Sequence, residues 1–393
     1  MENPNKIVFL DLGGRMHSLY RILISNPPSG YNVITQGTKW DGTLRFFTQT
    51  DSLYSFQERY LQKLIPVNLF KAYLEKFKKP PQGTTLTYAT GHLVFRKEPW
   101  IVDMEFVTQL AGYSAGHFKR YRRLIENMLA SKYCKGIICW TQAGKRTILE
   151  NMDCQRFKDK IGVVPLAVQK NDFIKDYKDY GKVRILFVGS ANIPGEFEFK
   201  GGKEVLEAFT ILLRKHPNLE LVIRSDVPKE IKDRYVNINN LRIIDNIIPR
   251  EQLDQEFKTA DIFLFPSHCT PGLAILDAMS YELPVVTTDV WANSEMVEDG
   301  KTGFVIPKSE NVQYYTMNFV PNWSYNPNSQ FAKSINKADF KVVDEIVTKI
   351  NVLIENPDIR RKMGEAGRWA VEKGKYSIES RNDKLKRIFD EAK

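Results

Sequence analysis

The chain is poor in the residues that metal and disulfide frameworks need. Four cysteines, Cys134, Cys139, Cys154 and Cys269, stand at irregular intervals in 393 residues. That excludes a disulfide scaffold and a Cys-ligated zinc site and predicts reduced thiols in the cytoplasm. Histidine is scarce too, with five in the chain, which disfavours chemistry built on several imidazole acids and bases. No apolar run reaches the ~18 residues of a membrane span, and there is no internal repeat or low-complexity tract. The opening residues, MENPNKIVFLDLGG, hold an acid, a short apolar run and a Gly-Gly pair, so they predict a first strand and not a signal peptide.

What is present is the composition of a soluble globular protein, 42% apolar and 26% charged, with length enough for two full domains. The net charge of +10 is unevenly placed. Residues 1–165 hold 24 Lys and Arg against 13 Asp and Glu, a balance of +11, which leaves the rest near −1. A basic half suits an anionic membrane surface or a phosphorylated acceptor. Nucleic acid is not expected as a partner, because aromatic interleaving is thin.

Strand, glycine turn and helix follow one another from Lys6: Lys6–Leu12 is apolar, Gly13-Gly14 breaks the chain, and Met16 to Ile24 carry helical periodicity. This opening predicts a doubly wound domain whose ligands collect at the carboxyl ends of strands. Tyr31–Gln36 reads as a second strand, 52–79 as a long amphipathic helix closed by Pro80-Pro81, and 84–95 as another strand. In PWIVDMEFV (99–107) the alternation puts Asp103 and Glu105 on one strand face; paired acids there are candidates for acceptor binding, since burying them unpaired is costly. Residues 116–133 form a basic amphipathic helix in which Lys119, Arg120, Arg122 and Arg123 crowd one or two turns, a pattern that docks on anionic lipid heads. Strands follow at 136–141 and 161–167. A polar, turn-rich linker over 168–182 leads into the second half.

There, the apolar strand Val183–Val188 ends at Gly189, and Lys200-Gly201-Gly202 precedes a helix with Leu206, Phe209, Leu212 and Leu213 in its stripe. Leu219–Arg224 and Leu241–Ile244 are strands. The stretch 261–281, DIFLFPSHCTPGLAILDAMSY, reads as a buried strand, a Pro- and Gly-bearing loop, and a helix starting at about Pro271 to Gly272. A helix behind such a loop presents unpaired N–H groups to an anion. Asp277, about one and a half turns in, suits a ribose diol. Residues 311–337, with Tyr314, Tyr315, Trp323 and Tyr325, fit no pattern. Helices close the chain at 342–356 and 357–392.

These residues, with ELPVVTTDVWANSEMVEDGKTGFVIP after them, resemble the nucleotide-sugar half of the retaining GT-B glycosyltransferases of group 1, family 4. That family carries a Glu, seven residues and a second Glu, then an Ala-Met pair, a Leu-Pro-Val-Val strand and an Asp-Gly-x-Thr-Gly-Phe turn. Asp277 takes the second acidic place; the first falls on Cys269. The resemblance covers about 183–307 and 340–392, and the first half only in layout. It implies an α/β GT-B fold of two doubly wound Rossmann-like domains facing across a cleft. The acceptor-side domain spans 1–170, the nucleotide-sugar domain 183–375, and a terminal helix over 376–393 crosses back to the first.

The implied reaction moves a sugar from a UDP- or GDP-linked donor to a sugar, lipid-linked or other acceptor, with retention, no cofactor and no metal. Lys200 is the expected catalytic cation on the donor diphosphate, with Asp277 and Glu105 as further catalytic candidates. Gly13, Gly14, Gly189, Ser190, Ile248, Cys269, Pro271, Gly272 and Leu273 complete the implied donor site. Asp103, Glu105 and His17 are the acceptor candidates, and Arg15 sits beside them. Ser190 stands where relatives place an arginine, and Cys269 is a poor acceptor for sugar hydroxyls. The alternatives are therefore a relative that binds nucleotide or acceptor without turnover, and a GT-B nucleotide-sugar epimerase. The expected location is the cytoplasm, including the inner membrane face.

Overall fold

A computed structural model describes residues 6–12, 16–36, 66–177, 181–191, 193–322 and 328–392. Gly13, Gly14 and Arg15, residues 52–65 of the expected long helix, and Trp323 and Tyr325 lie outside them. The chain divides into two units: 1–167 with 317–320 and 378–393, and 168–316 with 321–377.

In the first unit the apolar strands β1 (Lys6–Asp11), β2 (Tyr31–Ile34), β3 (Thr84–Thr90), β4 (Trp100–Met104), β5 (Cys134–Cys139) and β6 (Ile161–Val163) form one sheet in the order β2-β1-β3-β4-β5-β6. All five pairings are parallel. Parallel strands covered by helices on both faces read as continuous apolar runs, as WIVDM in β4 does with every residue buried. The helices are α1 (Ser18–Ser25), α2 (Val67–Glu75), α3 (Ala115–Ala130) and α4 (Gln142–Asn151), with a 3-10 turn at Val107–Ala111.

The second unit repeats the plan. Strands β7 (Val183–Val188), β8 (Leu219–Arg224), β9 (Leu241–Ile244), β10 (Ile262–Phe265), β11 (Val285–Thr288) and β12 (Gly303–Ile306) lie in the order β12-β11-β10-β7-β8-β9, again all parallel. This order reverses between β7 and β10, which puts a topological switch point at their carboxyl ends. Helices α5 (Glu196–Phe199), α6 (Gly202–Lys215), α7 (Lys229–Arg234), α8 (Arg250–Thr259), α9 (Ala274–Ser280), α10 (Asn293–Met296), α11 (Gln330–Ser334), α12 (Phe340–Glu355) and α13 (Pro357–Glu372) surround it. The core joins Ile185, Phe187, Leu206, Phe209, Leu221 and Ile223 to Val343, Ile346 and Ile350 of α12.

Two expectations about helices are corrected. Residues 357–392 are not continuous: α13 ends at Glu372 and α14 (Ile378–Glu391) starts after a break containing Gly374. A Cβ on Gly374 would lie 2.8 Å from Ala370 Cα, so the chain turns back over its own last helical turn. The α14 helix belongs to the first unit, where Phe389 meets Tyr31 and Tyr88 edge-on. The second correction is the helix expected to begin at Pro271 to Gly272. It begins at Ala274, because Leu273, already in the right-handed helical region, is its cap.

Candidate active site

Two loops converge at the switch point of the second unit. The first leaves β7 through Gly189 and Ser190, and enters α6 through Lys200, Gly201 and Gly202. Gly201 adopts φ +80°, and a Cβ there would lie 2.2 Å from the carbonyl oxygen of Pro266. Only glycine meets both demands, and its close approach brings the Lys200 turn against the loop after β10.

The second loop, 266–273, is held from below. Thr287 and Thr288 of β11 donate hydroxyl hydrogen bonds to the carbonyls of Phe265 (2.7 Å) and Ser267 (2.5 Å). The backbone N–H of His268 donates to Phe199 O at 2.8 Å. His268 Nε2 also lies 3.2 Å from Glu204 Oε1 on α6, both side chains being buried. Burial opposes the Glu204 charge, but His268 and two backbone N–H groups together hold the carboxyl below the usual range.

On this platform the Lys200 ammonium donates to Cys269 Sγ at 3.1 Å and to Thr270 O at 3.0 Å. Lys200 and Cys269 are both buried, and Cys269 packs with Phe199, Phe331 and Ile335. Burial raises the Cys269 thiol although Lys200 pulls the other way. Phe331 and Ile335 come from the stretch 311–337 that fits no sequence pattern, so part of that stretch forms the wall behind the lysine.

Gly189 and Ser190 are zipped to the end of β8. Gly189 N donates to Arg224 O at 2.8 Å, Asp226 N to Ser190 O at 2.9 Å, and Arg224 Nη1 to Gly189 O at 2.8 Å. A Cβ on Gly189 would sit 2.5 Å from Ser225 Oγ. Arg224 went unread as a site residue because it ends an apolar strand. Its Nε has no hydrogen-bond partner, no carboxylate pairs with it among the described residues, and burial lowers its pKa. An under-partnered cation therefore stands beside Ser190, where relatives are expected to place an arginine.

Asp277, in the first turn of α9, is not an open carboxylate. Arg250 grips both its oxygens, each at 3.2 Å. Burial pushes the Asp277 carboxyl up and Arg250 offsets that only in part. Arg250 is the first residue of α8, so Ile248 lies two residues before it in the preceding loop. Pro271, Gly272 and Leu273 lead into α9, where Ile275 N donates to Gly272 O at 3.1 Å.

The acceptor candidates sit in the first unit. Asp103 is buried on β4 and accepts hydrogen bonds from Tyr20 (3.0 Å to each oxygen) and Trp140 Nε1 (2.9 Å). Burial pushes its carboxyl up to about 6, against the hydrogen bonds of Trp140, Tyr20 and Tyr88. Glu105 falls just past the end of β4, so the two acids do not share a strand; the Glu105 N–H donates to Gln109 Oε1 at 2.8 Å. His17 caps α1, its Nδ1 accepting from Leu19 N at 3.4 Å, and burial lowers its pKa. At the end of β1, Asp11 faces Arg96 (3.0 Å) and His92 (3.6 Å), a cluster that sequence spacing does not reveal because the two cationic members come from the loop between β3 and β4.

Residues 182–316 match the family model described as glycosyl transferases group 1. A probable sucrose-phosphate synthase of Thermosipho melanesiensis is 24% identical over 311 residues, 70% of each chain. The capsular polysaccharide biosynthesis glycosyltransferase CapM of Staphylococcus aureus is 24% identical over 49% of this chain and 43% of its own. The chain thus spans less than half of the second relative. Anabaena Alr3699/HepE, solved in complex with UDP, superposes with a TM-score of 0.58 at 14% identity, covering 98% of this chain and 99% of that one. The chain has the two-domain α/β GT-B fold, and its residues 182–316 are similar to the glycosyl transferases group 1.

Proposed function

We propose that this protein transfers a sugar from a nucleoside-diphosphate donor, UDP- or GDP-linked, to a hydroxyl-bearing acceptor with retention at the anomeric carbon, as a hexosyltransferase. The observation that carries the reading is the presence of two cations at the carboxyl ends of this sheet: Lys200 against the loop after β10 and Arg224, at the end of β8, against Gly189. As the bond to the leaving diphosphate breaks, negative charge builds on its oxygens. Fixed cations in a site shielded from water stabilise that charge without reorganising. The departing phosphate then serves as base for the acceptor proton, so no carboxylate need be spent on it. Asp277 and Arg250 form the nucleoside side, and residues of the first unit, Glu105 and His17 among them, serve the acceptor. The protein acts in the cytoplasm.

Thermal unfolding with UDP, GDP and ADP, each alone, tests this reading. A ligand at about a hundred times its dissociation constant adds ~2.7 kcal/mol, so one nucleotide is expected to raise the melting temperature clearly, and less so in Lys200→Met. No shift with any nucleotide would overturn the donor site. Incubating the donor sugar without acceptor separates epimerisation from transfer.

A further inference from the structure

Helix α2 carries its apolar stripe on the wrong side for a soluble protein. Leu69 and Ala72 are buried beneath it, yet Phe70 (57% exposed), Tyr73 (44%), Leu74 (47%) and Phe77 (73%) face solvent. The spacing i, i+3, i+4, i+7 makes them one continuous row. Phe77 extends the row past the helix end, its N–H bonded to Leu74 O at 3.2 Å. Lys76 lies over the rings of Tyr73 (3.6 Å) and Phe77 (4.8 Å). Lys71 and Lys79 flank them, as does Lys78, which pairs with Glu75 at 2.7 Å.

Helix α3 is its neighbour. Both pack on the 3-10 turn Val107–Ala111, and a Cβ on Gly112, which caps that turn, would lie 2.7 Å from Asn68 of α2. The exposed residues of α3 include Lys119, Arg120 and Arg123, and none of these three pairs with a carboxylate among the described residues. An outward aromatic row flanked by lysines, with a second basic helix packed on the same turn, has the chemistry of a surface that is apolar a few ångströms below a layer of anions.

We propose that α2 and the turn after it are a membrane-insertion element: Phe70, Tyr73, Leu74 and Phe77 enter the acyl boundary of an anionic bilayer, while Lys71, Lys76 and Lys79 and the basic residues of α3 engage its phosphates. The charge favours a bilayer over a second copy of this chain, since pairing two such faces would bring like charges together. The inference stands apart from the donor site, and nucleotide-induced melting shifts are expected to be unaffected by changes in α2.

The full chain is sedimented with vesicles of phosphatidylglycerol and phosphatidylcholine in equal parts, and with vesicles of phosphatidylcholine alone. Sedimentation with the first and not the second is expected. The double variant Phe70→Ser, Phe77→Ser is expected to keep its melting temperature and to partition at least about tenfold more weakly. Phe77→Cys, labelled with an environment-sensitive fluorophore while the four native cysteines are buried, is expected to blue-shift on the anionic vesicles. The proposal is overturned if the protein stays in the supernatant, or if the serine variant binds as well as the parent. It is also overturned if the parent is a dimer without vesicles and the serine variant a monomer.

Discussion

The ammonium of Lys200 lies 3.1 Å from the sulfur of Cys269, sixty-nine positions later in the chain. The thiol gives the lysine a weak, polarisable partner where a glutamate would form an ion pair. Lys200→Met is expected to lower turnover by about 10²–10³-fold. Cys269→Glu adds atoms to a site closed by Phe199, Phe331 and Ile335, and overpacking is expected to cost about 1–3 kcal/mol. Steady-state kinetics and denaturant melts check the two; a Cys269→Glu protein as stable as the parent would show that the wall yields.

Arg224 is a charge that the fold carries at a cost, since burial lowers its pKa and no carboxylate among the described residues compensates. Arg224→Met is expected to leave the melting temperature unchanged or raise it, while weakening nucleoside-diphosphate binding by about tenfold or more, the loss of one charged hydrogen bond. Calorimetric titration with UDP and GDP decides; equal affinity in both proteins would remove Arg224 from the site.

Gly201 sets the approach of the two site loops. Gly201→Ala combines a left-handed conformation with a Cβ placed 2.2 Å from Pro266 O and is expected to destabilise by about 3 kcal/mol. Gly272→Ala is the control, because its Cβ would meet nothing nearer than 3.7 Å. Equal urea midpoints for the two variants would contradict the packing described.

Asp103 has a carboxyl raised to about 6, so the folded state holds the proton more tightly than the unfolded one. Its contribution to stability is present below the unfolded value near 3.8, and is lost as pH rises through about 6, a span of about 3 kcal/mol. Asp103→Asn is expected to abolish that slope. Urea midpoints at pH 4 to 7 for both proteins are the check; parallel profiles would mean Asp103 does not titrate in this window.

The repeating apolar strands and the Lys-Gly-Gly turn were legible because a parallel sheet buried on both faces leaves a plain signature, as in IFLF of β10. Which strand ends meet was not, because it depends on strand order. Nothing in the spacing of Lys200 and Cys269, Arg250 and Asp277, or Arg224 and Gly189 predicts contact; the reversal between β7 and β10 and the register of β7 with β8 bring them together. Asp103 and Glu105 look equivalent by alternation, yet β4 ends between them at Met104. In 311–337 the buried Phe331 sits on a five-residue helix, too short to give a period.

The return of α14 to the first unit bears on the order in which the protein is made. Phe389 stacks edge-on against Tyr31 and Tyr88, and Arg381 donates to Asn26 O at 2.9 Å. A ribosome delivers the six strands of the first sheet early and the helix that covers this part of it only after the whole second unit. During synthesis the nascent first unit therefore waits with Tyr31, Tyr88 and the face of β5 uncovered, a sticky intermediate of the kind that chaperones bind. A fragment ending at Ala167 keeps that exposed face permanently, so the first unit is not a piece that can be cut out and studied alone.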